Sequence, residues 1–194
     1  MIKTTKILLE EYKAYKNPRN KVYRLIKQGK LIPISAGLYE TDKNIDGKFL
    51  AGAIFGPSYL SFDYALSYYG MIPEAVYLFS SATCEKHKTK EYVNFFGKFT
   101  YRDVPKSVFS LGVEIKCIDD NCYKIASKEK ALCDKLYTIS PLKNQKELEK
   151  YLFESLRIDE DEFVKLNKED ICIFADKYKN TNIKLLNKYI RRIK

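Results

Sequence analysis

The chain has 194 residues and a formal net charge of +10, with 45% apolar residues, sixteen Tyr, eleven Phe and no Trp. That composition excludes a disordered chain and suits one large domain or a small module joined to a medium one. No apolar run approaches the roughly eighteen residues of a membrane span, and Met1–Glu11 lacks the apolar block of a secretion signal, so a cytoplasmic protein is expected. Cys84, Cys117, Cys122, Cys133 and Cys172 are odd in number and irregularly spaced, which in a reducing compartment predicts free thiols.

The charge is unevenly placed. Residues 1–39 hold nine Lys and Arg against Glu10 and Glu11 alone. Such concentration on a short segment is the electrostatic footprint of a phosphate-backbone binder.

In chain order, Thr4 or Thr5 caps a first helix bearing Ile7, Leu8, Tyr12 and Tyr15 at roughly helical spacing. Asn17-Pro18 starts a second, Arg19–Gln28, whose buried stripe is Val22, Leu25 and Ile26 and whose stop is Gly29. Leu31–Ile34, Ser35-Ala36-Gly37 and Leu38–Glu40 read as a short hairpin with Gly at the turn. Helix, helix and two-stranded wing are the order of a minimal winged helix-turn-helix. Polar Asp42–Lys48 marks a boundary, giving a module over 1–45 and a second unit over 46–194.

Beyond it, Phe49–Phe55 is a helix or strand ended by Gly56-Pro57, and Ser61 caps a helix Phe62–Tyr69 stopped by Gly70. β-rich runs follow at Ala75–Thr83, Tyr92–Asp103, Val108–Ile118 and Cys122–Ile125, with Asp119-Asp120-Asn121 as a turn. A helix Ser127–Tyr137 buries Ala131, Leu132 and Leu136. The tail is helical at Lys146–Leu156, Glu160–Leu166, Lys168–Tyr178 and Ile183–Ile193. The predicted class is α+β: the N-terminal winged helix-turn-helix, then a mixed, mostly antiparallel sheet with a helical C-terminal tail.

With the apolar stripe inward, Arg19, Asn20, Lys21, Tyr23, Arg24 and Lys27 lie on or beside the outer face of the second helix. Arg forks onto guanine, Asn bridges adenine, and Lys and Tyr grip phosphates. Gln28, Lys30 and the wing's Ser35 complete the expected DNA contacts. The wing tip Ser35-Ala36 carries no positive charge, so one copy binds weakly and a homodimer or a partner is implied.

Enzymatic readings are thinner. Glu114 and Lys116 share a strand face, and Asp103 on the preceding strand end completes a D…E-x-K pattern for a Mg²⁺-dependent nuclease. Cys84, His87, Cys117 and Cys122 are four soft ligands at loose spacing for zinc. His87 is the only histidine and the only base for a Cys–His pair. No phosphate-binding glycine loop, nucleophile elbow or dinucleotide fingerprint is present. No cofactor is predicted. Glu129, Lys130 and Asp134 read as helix-surface charges or caps, and Tyr68, Tyr69 and Tyr137 as core.

Four segments resemble the AbiEi-type antitoxins, the regulator half of bacterial abortive-infection toxin–antitoxin pairs. KVYRLIKQGKLIPISAGLYE (Lys21–Glu40) is similar to their recognition helix and wing, and PSYLSFDYALSYYG (Pro57–Gly70) to a second family segment. The β-rich stretch Val76–Val113 and IASKEKALCDKLY (Ile125–Tyr137) follow in the family's order. The resemblance implies a transcriptional autoregulator that binds operator DNA through its N-terminal module and counters an AbiEii-type nucleotidyltransferase toxin through the rest. A protein-interaction module whose degenerate winged helix no longer meets DNA is the alternative of another class.

Overall fold

A computed structural model describes residues 1–192. The last residue of the expected tail helix, Ile193, lies outside the described residues.

Strand β1 (Ile2–Thr4) opens the chain and was not anticipated from sequence. Helix α1 (Thr5–Glu11) follows, with the Thr4 hydroxyl accepting from the Ile7 amide. It is shorter than its apolar spacing implied: Leu8 is buried and Tyr12 ends the helix, while Ile7 and Tyr15 are half exposed. Helix α2 (Pro18–Lys27) begins as expected, Asn17 capping it and Pro18 sitting in its first turn. Strands β2 (Ile32–Ser35) and β3 (Leu38–Glu40) make the hairpin. Gly37 turns it at φ +75°, and the Thr5 amide donates to the Gly37 carbonyl at 2.9 Å, fastening the tip to the start of α1. With β1 added on the far side of β3 the sheet has three strands, ordered β1-β3-β2.

Leu8, Val22 and Leu31 form a small core of their own, with Tyr12, Leu25, Ile26 and Tyr39 packed on it. Ile34 instead enters the main core, and Ile2 and Leu38 lean on it. The Asn94 amide nitrogen donates to the Ile34 carbonyl at 2.8 Å, a further tie between the N-terminal segment and the larger sheet.

That sheet contains β4 (Tyr59–Leu60), β5 (Phe79–Thr83), β6 (Lys90–Asn94), β7 (Gly97–Asp103), β8 (Val113–Ile118) and β9 (Asn121–Ala126). Its order is β6-β7-β5-β4-β9-β8. Antiparallel hairpins lie at both edges, but the inner pairs β4–β9 and β5–β7 are parallel, so the sheet is mixed. Phe49–Phe55 is helical: a 3₁₀ turn over Gly47–Phe49, then α3 (Ala51–Ile54). Ala75–Thr83 yields a strand only from Phe79, and Val108–Ile118 only from Val113.

Helix α4 (Phe62–Tyr68) follows β4 directly, and α5 (Lys128–Tyr137) follows β9. The tail is α6 (Gln145–Lys150) running into a π-helical turn at Tyr151–Ser155, then α7 (Glu160–Val164), α8 (Lys168–Tyr178) and α9 (Thr181–Ile190). No described helix is long and apolar enough to cross a membrane.

The β8–β9 register places Cys117 opposite Cys122, and the two are disulfide-bonded, which corrects the expectation of five free thiols. Cys84, Cys133 and Cys172 are free. Of the tyrosines expected in the core, Tyr68 is 45% exposed, and Tyr69 and Tyr137 are only partly buried.

Two close approaches hold the tail helices in place, one against the sheet and one against the end of α5. Gly112 has φ +60°, and a Cβ there would lie 2.7 Å from Phe174 and 3.0 Å from Lys130 Cβ. Gly112→Ala is expected to cost about 2 kcal/mol through strain and overpacking, read as a lowered urea midpoint at unchanged m-value. Asn182, buried in the first turn of α9, donates to the Leu136 and Ser140 carbonyls at 3.0 and 3.2 Å. Its side-chain oxygen accepts from the Leu142 amide at 2.8 Å. Asn182→Ala orphans those groups and is expected to cost roughly 2–4 kcal/mol in the same measurement.

Candidate nucleic-acid interface

The outward face of α2 follows from its inward one. Val22 is 6% exposed, and Leu25 and Ile26 pack beside it. At about 100° per residue this puts Asn20, Tyr23, Arg24 and Lys27 within roughly 100° of arc on the opposite side, with Arg19, Lys21 and Gln28 flanking them. Arg19, Asn20, Tyr23, Arg24, Lys27, Gln28 and Lys30 are all exposed. Ion pairs between side chains of residues 1–39 join Lys3 to Glu11 and Lys13 to Glu10. Among the described residues, therefore, no carboxylate neutralises the cations of α2.

Aromatic rings set two of these cations. Lys27 Nζ stands 4.7 Å from the Tyr23 ring centre, which steadies a long side chain beside an exposed phenol. Lys21 Nζ lies 4.8 Å from the Tyr15 ring and 6.0 Å from that of Tyr12, and Lys21 is half buried. Tyr15, Lys16, Asn20, Lys21, Arg24 and Gln28 line a shallow depression of ≈ 630 Å³ between the α1–α2 connection and α2.

The β2–β3 hairpin offers fewer exposed polar groups than the helix. Ser35 is half buried in β2, opposite Leu38 across a bulge, and the adjoining turn carries no charge. Lys30 lies just past α2, its amide donating to the Leu25 carbonyl at 2.9 Å.

The D…E-x-K site is not assembled. Glu114 and Lys116 do share a face and pair at 3.1 Å, but β8 is one edge of the sheet, whereas Asp103 ends β7 beyond β9, β4 and β5. Four strand steps separate β7 from β8, roughly 19 Å. Asp103 is occupied elsewhere: it accepts from the Thr83 hydroxyl at 2.6 Å and from the amides of Lys86 and His87 at 2.7 and 2.6 Å. Burial would raise its pKa, but these donors outweigh it and hold the carboxyl below its ordinary value. The zinc reading fails on similar grounds. Cys117 and Cys122 are bonded to each other at the far edge of the sheet from Cys84 and His87. Among the described residues, no group of three or more His, Cys, Asp or Glu side chains could hold a metal ion.

The largest correction concerns α5. Glu129, Lys130 and Asp134 are not surface charges: Lys130 and Asp134 are fully buried and Glu129 nearly so. Lys130 Nζ donates to Asp134 Oδ1 at 2.8 Å and also contacts the Tyr178 hydroxyl. Asp134 accepts from the hydroxyls of Ser61 at 2.6 Å, of Tyr59 at 3.0 Å, and of Tyr178. Ser61 stands at the N-cap of α4 as expected, but its side chain makes no capping bond there and serves Asp134 instead. Glu129 accepts from the Asn167 amide at 3.0 Å. Burial, then the Asp134 carboxylate, push the Tyr59 and Tyr178 hydroxyls well above the ordinary phenol range, so both remain donors. Every member is partnered within a closed interior, which makes the cluster a clasp joining β4, α4, α5 and α8 rather than a reaction site.

No protein-family model matches the chain, and no curated protein matches its sequence.

Proposed function

We propose that the chain is a DNA-binding regulator, an antitoxin of the AbiEi type. In this reading residues 1–45 act as a winged helix-turn-helix, with α2 in the major groove. Asn20 and Arg24 reach base edges, Arg19, Tyr23, Lys27 and Lys30 grip phosphates, and the β2–β3 hairpin lies beside the backbone. The observation that carries it is the outward arc of α2: exposed amide, guanidinium and ammonium groups with no carboxylate partner, on a helix whose other face is packed.

The same arc explains why one copy is insufficient. It offers few phosphate contacts, and the wing adds no charge, so two copies on a symmetric operator or a protein partner supply the rest. Residues 46–194 counter the toxin, a nucleotidyltransferase, inside the cytoplasm. The resemblance of Pro57–Gly70 and Ile125–Tyr137 to the family's segments supports this half of the reading.

Binding of the purified protein to its own promoter fragment, against a scrambled duplex over a salt series, tests the proposal. Preference for the promoter is expected. Equal retention of both duplexes at every salt concentration would overturn operator reading by this chain and favour the protein-interaction module.

A further inference from the structure

Parallel strands β4 and β9 meet at a single pair, Leu60 with Ile125. β9 runs on toward Asn121, paired with β8 on its other side. The chain ahead of Leu60 is Pro57-Ser58-Tyr59, in which Pro57 has no amide hydrogen to donate to a ladder. The two strands therefore part there, and a cleft of ≈ 420 Å³ occupies the opening, reaching the 3₁₀ turn and α3. A second depression of ≈ 240 Å³ shares Pro57, Ser58, Tyr59, Ile115 and Lys124 with it.

The walls are mostly apolar, and the charged groups are of one sign. Lys48 and Lys124 are the charged residues lining the cleft, and no carboxylate does so. Lys124 is exposed. Lys48 Nζ pairs with Asp46 at 2.9 Å and sits 5.7 Å from the centre of the Tyr123 ring, at the cleft wall.

Ser58 supplies an independent sign. It is 7% exposed, and its hydroxyl is buried without a hydrogen-bond partner. An orphaned buried hydroxyl is a rare feature that calls for an explanation. Leu60 pairs with Ser81 across β4–β5, and Ser81 pairs with Tyr101, whose hydroxyl donates to the Ala51 carbonyl at 2.7 Å. That face of the sheet is thus the one α3 covers. Ser58, in the segment that leads into β4, lines both the cleft and the second depression, so it stands at the opening they share.

We infer that this cleft binds a small carboxylate with an apolar or aromatic body. The body lies against Phe49, Leu60 and Tyr123. The carboxylate takes the Ser58 hydroxyl proton as a hydrogen bond, while Lys48 supplies charge at the rim and Lys124, which alternates with Tyr123 and Ile125, does so from the opposite face through the opening. Size and lining agree with such a ligand, since pockets for small molecules are largely apolar with a few placed polar groups. The inference stands apart from the DNA-reading proposal, because none of these residues belongs to α2.

The test is calorimetric titration of the full chain with 2-naphthoate and, separately, with its neutral amide 2-naphthamide. The carboxylate is expected to bind at least about tenfold tighter than the amide, with Lys124→Glu and Ser58→Ala each weakening it roughly tenfold. Arg24→Ala with Lys27→Ala is expected to leave naphthoate binding unchanged, which separates the cleft from the basic helix. Ser58→Ala, having no bond to lose, is expected to melt no lower than the parent chain. Equal affinity for acid and amide, no binding of either, or binding indifferent to Lys124→Glu and Ser58→Ala would overturn the inference. So would a clear loss of stability in Ser58→Ala, because it would mean that the hydroxyl already has a partner.

Discussion

Asp134→Ala is expected to be the most damaging single substitution in the chain. It leaves the Lys130 ammonium buried without its counter-ion and strips an acceptor from the hydroxyls of Ser61, Tyr59 and Tyr178. Breaking a buried pair from one side costs about 3–5 kcal/mol, a large part of the roughly 5–15 kcal/mol that holds an ordinary domain together. For a chain of this length that lowers the melting temperature by roughly 6–20 °C. Lys130→Met is expected to cost less than Asp134→Ala, because the remaining carboxylate keeps three hydroxyl donors. The double variant Lys130→Met with Asp134→Leu removes both charges, and adding Tyr178→Phe removes one orphaned hydroxyl. Stability is expected to rise at each of those steps relative to Asp134→Ala. Thermal and urea melts of the series check this. A double variant no more stable than Asp134→Ala would show that the uncompensated lysine is not what hurts.

This cluster was invisible in the sequence for a definite reason. Lys and Asp four residues apart on a helix look the same whether the helix face meets water or protein. What buries them is α8, whose Tyr178 lies 44 residues beyond Asp134. No local pattern carries that distance. The inner parallel pairs were hidden likewise: Leu60 pairs with Ile125, with β5 to β8 lying between them in the chain. Strand β1 was too short, at three residues, to show an alternation. By contrast, α2 was legible almost to the residue. Asn17-Pro18 states where it starts, Val22, Leu25 and Ile26 state which way it faces, and the solvent face then follows from helix geometry. The hairpin was readable from Gly37, whose positive φ the turn requires. The D…E-x-K alternative does not survive the strand order, because strands that follow one another in the chain need not be neighbours, and β7 and β8 lie on opposite sides of the sheet's centre.

That legibility is why the second large effect is expected in α2. Arg24 and Lys27 lie on the outward arc, both exposed, and neither supports the small core formed by Leu8, Val22 and Leu31. Replacing either with Ala removes a cation without creating a cavity or an orphaned buried group, so the melting temperature is expected to stay near that of the parent. DNA affinity is expected to behave differently for the two. Lys27→Ala, losing a phosphate contact, should weaken promoter and scrambled duplex alike and reduce the salt slope by about 1. Arg24→Ala, losing a base contact, should cost about 1–3 kcal/mol on the promoter alone and narrow its advantage over the scrambled duplex. The two measurements together separate gripping from reading. If both substitutions left promoter binding and its salt dependence untouched in a folded protein, α2 would not be the reading helix. If both reduced binding to the two duplexes equally, the helix would hold DNA without reading it, and sequence preference would have to come from a partner bound to residues 46–194.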